Sequence, residues 1–360
     1  MLLKNLLPSA SLLKFVRMLL GIKILLKADS CEMKNLNERQ IAFAGNGTPI
    51  ARLIDFALTL KGINVKTVFV ATDELDFFRR RYEKHPLLSI EDIKHIEKGV
   101  PKGRNWKTVY DYLISFNNKH LIGNDVLRNI RIGGINFHAG ALPEYAGSYT
   151  YQWAIRNDEH TFTSTIHWIE GKTDSGPVIC KKEFPISPSE TGLSLLMRSV
   201  DAALELMYIV LTGIGTGRVL PRISQDLSKR CFYSMSKICE SGMIEWDKTA
   251  EEVERLIRAA DFSPLSSPTY EPYTYSPVGV LKVHKAKVGS QSPGVNAGEV
   301  VYIDNECVVV KTGCEKNLVI TSLTINDKRF KKGEILETKL NVGDCFEANE
   351  PTIQGTQICE

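Results

Sequence analysis

The chain has 360 residues, 43% of them hydrophobic and 24% charged, which gives room for two domains with their own cores and excludes a disordered or disulfide-stapled class. The formal net charge of +3 is too small to imply a nucleic-acid or membrane partner by itself. Eight cysteines, at positions 31, 180, 231, 239, 307, 314, 345 and 359, include no Cys-x-x-Cys pair and have no histidine beside them at metal-ligand spacing, so they read as reduced thiols of a cytoplasmic protein without a metal site.

Residues 1–40 form an N-terminal extension. Its first 30 residues mix Leu, Ile and Met with Lys4, Lys14, Arg17, Lys23 and Lys27, and these cations interrupt every apolar run before it reaches the roughly 18 residues of a membrane span. A transit peptide, an interfacial anchor, a frayed extension and a start codon set too early, with Met33 as the alternative, all remain open.

"IAFAGNGTPIARLIDFALTLKG" predicts a strand from Ile41 to Ala44, a glycine turn, and a helix with Ile50, Leu53, Ile54, Ala57 and Leu58 at helical spacing. "VKTVFVAT" follows as a strand, so the chain opens with a βαβ unit and calls for a parallel sheet covered by helices. Gly45-x-Gly47 lacks the third glycine of a dinucleotide fingerprint, since Ile50 stands there, and reads as a tight turn. Charged, irregular sequence from Asp76 to Arg104 predicts a surface loop with short helices. "YDYLISF" is the next strand, "NDVLRNIRIGGINFH" a short helix feeding another, and "TSTIHWIE" a further strand rich in β-branched residues. A long helix is expected after Thr191, with Leu196, Val200, Ala203, Met207 and Val210 as its stripe.

A second unit begins near Ile244, where Thr249 and Glu252 have capping-box spacing ahead of Val253, Leu256, Ile257 and Ala260. Short strands then recur in "VGVLKV", "EVVYID", "ECVVVK" and "NLVITSL", a pattern that suggests a small barrel. The organisation expected is an extension at 1–40, a catalytic domain at 41–225, a linker at 226–244, a barrel domain at 245–350 and a tail at 351–360.

The chemistry concentrates in "INFHAGALPEYAG". Strand side chains alternate, so Asn136 and His138 share one face at the end of a parallel strand while Phe137 packs on the other. Asp174 follows 36 residues after His138, in a loop expected to return to the same edge. An amide, an imidazole and a carboxylate suit acyl transfer to an amine: the His takes the proton, the Asn donates to the oxyanion, and the Asp orients the imidazole and raises its pKa. His167 reads as a half-buried strand residue.

The runs "NFHAGALPEYAG", "WAIRNDE", "STIHWIEGKTDSGPVI" and "IEWDKTAEEVERLIRAAD" resemble the formyltransferase family, which uses 10-formyltetrahydrofolate and includes methionyl-tRNA formyltransferase, sugar-nucleotide amine formyltransferases and formylation domains of peptide synthetases. The resemblance covers roughly residues 41 to 350. It implies an α/β fold, with a Rossmann-like catalytic domain followed by a small OB-like β-barrel, and it carries the catalytic roles onto Asn136, His138 and Asp174. It also matches the folate-side segment to "NNKHLIGNDVL", making His120, Leu121 and Ile122 the expected pterin contacts, although Ile122-Gly123 stands where the family usually has Leu-Pro or Ile-Pro. Leu142, Pro143, Tyr145 and Gly147 look like the rigid turn behind the site, with Ala146 at the family's usual Arg.

For the acceptor, the glycine-rich basic segment of the tRNA enzymes is missing, and only Arg79, Arg80 and Arg81 cluster in that region. Residues 245 to 360 hold 13 Lys and Arg against 18 Asp and Glu, a net charge of −5, where a tRNA-holding domain should be basic. The basic run at 328–332 reads as a solvated face or a contact patch. The expected reaction is formyl transfer from 10-formyltetrahydrofolate to a small or carrier-bound amine, foremost that of a nucleotide-linked sugar. A peptidyl or aminoacyl amine, methionyl-tRNA, a hydrolase passing the formyl group to water, and a non-catalytic folate-binding module stay as alternatives. The resemblance allows a homodimer, and no membrane partner is expected.

Overall fold

The computed structural model describes residues 38–97, 109–291 and 296–347. Residues 1–37 and the tail at 351–360 lie outside the described residues, and with them the choice among targeting segment, anchor and early start.

Strand β1 (Arg39–Gly45) sends Ile41 and Phe43 to one side and Ala42 and Ala44 to the other, and all four are fully buried. A strand apolar on both faces has to be central. The sheet is built from β1, β2 (Ile63–Val70), β3 (Ser89–Asp92), β4 (Tyr112–Phe116), β5 (Gly133–Ala139) and, beyond the two-residue β6 (Ala146–Gly147), β7 (Thr161–Trp168) and β8 (Val178–Pro185). Its order is β3-β2-β1-β4-β5-β7-β8, parallel through β5 and antiparallel from there on.

One face is covered by α1 (Gly47–Leu58), by Phe78 of α2 (Leu75–Arg81) and, further along the chain, by a 24-residue helix at Gly192–Gly215. The other carries Val126 of α3 (Asn124–Arg128) against Ala42, Ala44, Phe69 and Leu113. After α4 (Thr150–Arg156), the helix at Gly192–Gly215 is α5; Thr191 caps it by accepting from the Ser194 N–H at 3.2 Å. Its Val200, Ala203, Met207 and Val210 are buried as the spacing predicts, and Leu196 is half-buried.

The Gly45–Gly47 turn has a steric reason. A Cβ on Gly45 would sit 2.0 Å from the Phe116 carbonyl oxygen, and Gly47 has φ +72°. The Gly47 N–H donates to both Glu74 carboxylate oxygens, at 3.0 and 2.8 Å. A carboxylate of the chain itself therefore meets the start of α1, where a phosphate would lie in a dinucleotide site.

Two strands of this first sheet differ from expectation. β3 forms inside the charged stretch read as loop and short helices, and β8 forms from "VICKKEFP". Both lie at sheet edges, where a strand needs ladder bonds on one side only and no sustained apolar alternation.

Beyond β9 (Phe232–Tyr233), which pairs in parallel with β6, comes α6 (Ala250–Ala259), capped reciprocally by Thr249 and Glu252. A second sheet holds β10 (Tyr273–Ser276), β11 (Gly279–Gln291), β12 (Val300–Ile303), β13 (Val308–Lys311), β14 (Lys316–Ile325) and β15 (Lys328–Lys331), all antiparallel. It curls around Val253, Leu256 and Ile257 of α6, which join Leu281, Val283, Ile320 and Leu323 in one cluster. Edge strands β10 and β12 both bond to the segment 344–347, through Tyr275 with Glu347 and Val300 with Asp344, which draws the edges of this half-barrel together. Among the described residues no helix is long and apolar enough to cross a membrane.

Candidate active site

Phe137 points to the α1/α5 side of the sheet and stacks on Phe116 with ring centroids 4.8 Å apart, so alternation turns Asn136 and His138 to the opposite face. β7 runs against β5 and sets His167 directly across from Asn136. The loop after β7 therefore leaves near the start of β5, with the Ile169 N–H on the Gly134 carbonyl at 2.8 Å, and not at the expected C-terminal edge. Asp174 reaches the site by folding back across the face.

Four side chains meet there. Asp174 Oδ2 lies 3.5 Å from His138 Nδ1 and accepts the Gly147 N–H at 2.9 Å. Asp174 Oδ1 lies 3.6 Å from His167 Nε2, and Asn136 Nδ2 is 3.2 Å from the same nitrogen. His167 Nδ1 donates to the Trp168 carbonyl at 2.8 Å, and His138 Nε2 donates to the Tyr145 carbonyl at 2.5 Å. Both imidazoles and the carboxylate are less than a tenth exposed. The structure thus brings together Asn136, His138 and Asp174, with His167 as the piece between the amide and the carboxylate.

Backbone geometry holds these groups. Gly147 has φ +103°, and a Cβ there would meet the Tyr233 carbonyl oxygen at 2.2 Å, so the β6–β9 pairing that presents its N–H to Asp174 requires glycine. Ala146 is fully buried in the same pairing. Asp174 itself has φ +56°, an uncommon conformation for a residue with a Cβ. Gln225 clasps that backbone, its Nε2 donating to the carbonyls of Asp174 at 3.0 Å and Gly176 at 2.6 Å, and Arg230 donates to the Thr173 carbonyl at 2.9 Å.

Burial pushes the His138 pKa below its ordinary 6.5, outweighing the upward pull of Asp174 and of the Tyr145 carbonyl. The upward shift expected from the sequence is present as one contribution and loses to desolvation. Asp174 would be raised by burial, but His138, His167 and the Gly147 N–H hold it well below the usual carboxylate range. At neutral pH the site is an ionised Asp174 beside a neutral His138. It can take up one proton and receive negative charge at the Asn136 amide.

Tyr145 stacks on Tyr233 at 5.0 Å, and its hydroxyl, kept protonated by burial, donates to Glu159 at 2.6 Å. Leu142 is buried beside this turn. The expected folate-side residues leave the sheet after β4, which neighbours β5. Asn118 brackets His120, accepting its N–H at 3.0 Å and donating to its carbonyl at 2.9 Å; Leu121 is 75% exposed, and Ile122 packs against the cluster of Ala42 and Phe69.

The sequence reads His167 only as a half-buried strand residue, whereas it is fully buried within the site, and it gives no reading of Gln225. His167 carried one usable signal, its same-face parity with the end of a strand seven residues before Asp174. Gln225 carried none, since it joins the loop from 51 residues away.

Residues 39–211 match the formyl transferase family and residues 238–337 match the formyl transferase C-terminal domain. The methionyl-tRNA formyltransferase of Agathobacter rectalis is 31% identical over 219 residues, 60% of this chain and 67% of that protein; its counterpart from Clostridium novyi is 25% identical over 297 residues, 80% and 93% of the two chains. Among solved structures, an N-formyltransferase from Helicobacter canadensis superimposes with a TM-score of 0.60 at 17% identity, covering 78% of this chain and 98% of the other. The sugar 3N-formyl transferase WlaRD gives 0.59 at 17% identity, covering 82% and 99%. The chain belongs to the formyltransferase family, enzymes of folate-dependent one-carbon transfer.

Proposed function

We propose that the protein transfers the formyl group of 10-formyltetrahydrofolate to the primary amine of a nucleotide-linked amino sugar, with Asn136, His138 and Asp174 as the working residues. The folate reading is supported by neighbours of the same fold: the Helicobacter canadensis enzyme was solved with folinic acid and dTDP-3-aminofucose, and WlaRD with dTDP and 5-N-formyl-THF. His120, Leu121 and Ile122 would line the pterin side, in a loop where Asn118 fixes the His120 backbone and Leu121 presents an exposed apolar side chain.

His138 acts as the base. In the resting arrangement its Nε2–H is spent on the Tyr145 carbonyl, while Nδ1 faces Asp174 across 3.5 Å. To engage an amine, the ring shifts its proton to Nδ1, where Asp174 accepts it, and turns the freed Nε2 lone pair from the carbonyl to the ammonium. Proton uptake then gives an imidazolium flanked by the carboxylate. The freed amine attacks the formyl carbon while Asn136 donates an N–H to the formyl oxygen as negative charge grows there. Collapse breaks the bond to N10, which takes the proton held by His138 as tetrahydrofolate leaves, and the neutral ring then accepts the remaining proton of the new amide nitrogen. Burial of His138 and of the Asp174 carboxylate strengthens these interactions by excluding water. On this reading the catalytic unit runs over 41–225, the connecting stretch over 226–244, whose β9 braces the Gly147 turn, and the barrel over 245–350.

Charge carries the choice of acceptor. The C-terminal unit is acidic, and the Arg79–Arg81 cluster has carboxylates beside two of its three cations: Arg81 pairs with Asp55, and the exposed Arg79 lies 3.9 Å from Asp76. Such surfaces suit a small diphosphate better than a polyphosphate backbone. A second reading, methionyl-tRNA as acceptor, is favoured by the names of the sequence relatives. The deciding experiment supplies 10-formyltetrahydrofolate with a panel of amino-sugar nucleotides and, separately, methionyl-tRNA, and follows tetrahydrofolate release and product mass. Formylated sugar nucleotide is the expected result. Formylation of the tRNA alone overturns the choice, formate without acceptor indicates a hydrolase, and no turnover with any acceptor leaves a binding module.

A further inference from the structure

His167 has no part in the chemistry proposed above, yet it sits across the ladder from Asn136 at 2% exposure and touches both the amide and the carboxylate. We infer that His167 is a positioning residue whose Nε2 lone pair fixes the Asn136 amide with its NH2 group inward, as a donor.

For a neutral ring the chain of partners leaves one consistent assignment; a doubly protonated ring, with Nε2–H turned to Asp174 Oδ1 at 3.6 Å, is the arrangement that ¹⁵N resonances must exclude. The Trp168 carbonyl only accepts, so the proton of a neutral His167 ring is on Nδ1, 2.8 Å from that oxygen. Nε2 then presents a lone pair, which requires a donor. Asn136 Nδ2 at 3.2 Å is within hydrogen-bond reach, whereas Asp174 Oδ1 at 3.6 Å is not. An asparagine amide has two nearly isosteric ends, and on a buried face nothing but its partner selects between them. His167 makes that selection, and the second Nδ2 hydrogen stays available for the formyl oxygen. With the amide reversed, its carbonyl oxygen would occupy the donor's place and repel the developing oxyanion. The charged or titratable groups facing His167 are Asp174 from the following loop and His138 from β5, with ring centroids 6.4 Å apart.

The inference rests on the reading of Asn136 as the oxyanion donor, and the test separates the two. His167→Asn places a polar atom near the Nδ1 position and keeps the Trp168 contact, while His167→Gln reaches the Nε2 position and keeps an acceptor for Asn136. Turnover and KM are measured for both beside Asn136→Ala. The expected result is His167→Gln within about threefold of the parent kcat, and His167→Asn lower by about 10- to 100-fold with the folate KM unchanged within about threefold, a part of the 10²–10³ that loss of an oxyanion donor costs. A purely structural role, anchoring the strand end at Trp168, predicts the reverse order, and equal or reversed losses overturn the inference. Near-normal turnover in Asn136→Ala removes the donor reading itself. If neither His167 variant folds, the ¹⁵N resonances of the unaltered protein decide: an unprotonated Nε2 at pH 7.5 is expected, and a protonated one overturns the inference.

Discussion

Replacing Asp174 by Asn is the sharpest perturbation of the proposed chemistry, because it keeps the side-chain volume and an acceptor for the Gly147 N–H while removing one charge. The carboxylate is 9% exposed and lies 3.5 Å from His138 Nδ1. When His138 takes the proton of the attacking ammonium, the new cation faces that carboxylate; at 3.5 Å and an effective dielectric of about 20 the attraction is about 5 kcal/mol. Reorganisation of the remaining dipoles offsets part of it, which leaves a loss of about 10²–10³ in kcat. Steady-state release of tetrahydrofolate with the acceptor that supports turnover measures the effect, and the folate KM should stay within about threefold because the carboxylate makes no direct contact with the substrate in this scheme. A kcat within tenfold of the parent would refute the charge-pair reasoning.

Because burial sets the His138 pKa below 6.5, the neutral base persists on the acid side, and the acid limb of kcat/KM should have its inflexion below 6.5; one above that value contradicts the desolvation account. The same depressed pKa adds stability that is fully present above the unfolded value of 6.5 and is lost as pH falls through the lower folded value, which denaturant titrations across that window can follow. Gln225→Ala removes two hydrogen bonds to the Asp174 loop, so it should cost about 1–3 kcal/mol in urea unfolding and lower kcat about tenfold as the φ +56° backbone relaxes. Thr191→Ala removes the cap of α5 far from the reacting groups; about 1 kcal/mol of stability should go with no change in kcat.

What the sequence made legible follows the strength of its periodicity. β1, α1, α5 and α6 each present an apolar pattern that only one secondary structure can bury, and they form within a few residues of where that pattern puts them. β3, β8 and β15 were not legible, because an edge strand is fixed by its neighbour's backbone and tolerates charged side chains. β15 did leave one trace: it is joined to β14 by Asn326 and Asp327, both at positive φ, a two-residue turn that such residues favour, in a run read only for its lysines. Asn136 and His138 were legible as a pair because strand parity needs no tertiary knowledge. The direction of the His138 pKa was not, since a carboxylate partner shows in the sequence and depth of burial does not.

The reversal of strand direction after β5 explains both the site's construction and what was missed. Had β7 run parallel to β5, the loop carrying Asp174 would leave from the same edge as the Tyr145–Gly147 turn, and His138 would be met from one side. Antiparallel pairing makes the two loops arrive from opposite ends of β5, so that His138 Nε2 meets the Tyr145 carbonyl and Nδ1 meets Asp174. The pairing also fixes the register that sets His167 against Asn136. A single topological choice thereby supplies the carboxylate, the resting partner of the base and the orienting contact of the amide. The register can therefore be tested apart from any one side chain: a one-residue insertion in the turn between Arg156 and Thr161 that leaves the β5–β7 ladder in place should be tolerated. An insertion within β7 between Ile166 and His167 shifts His167 to the other face, and should abolish transfer even though Asn136, His138 and Asp174 all remain.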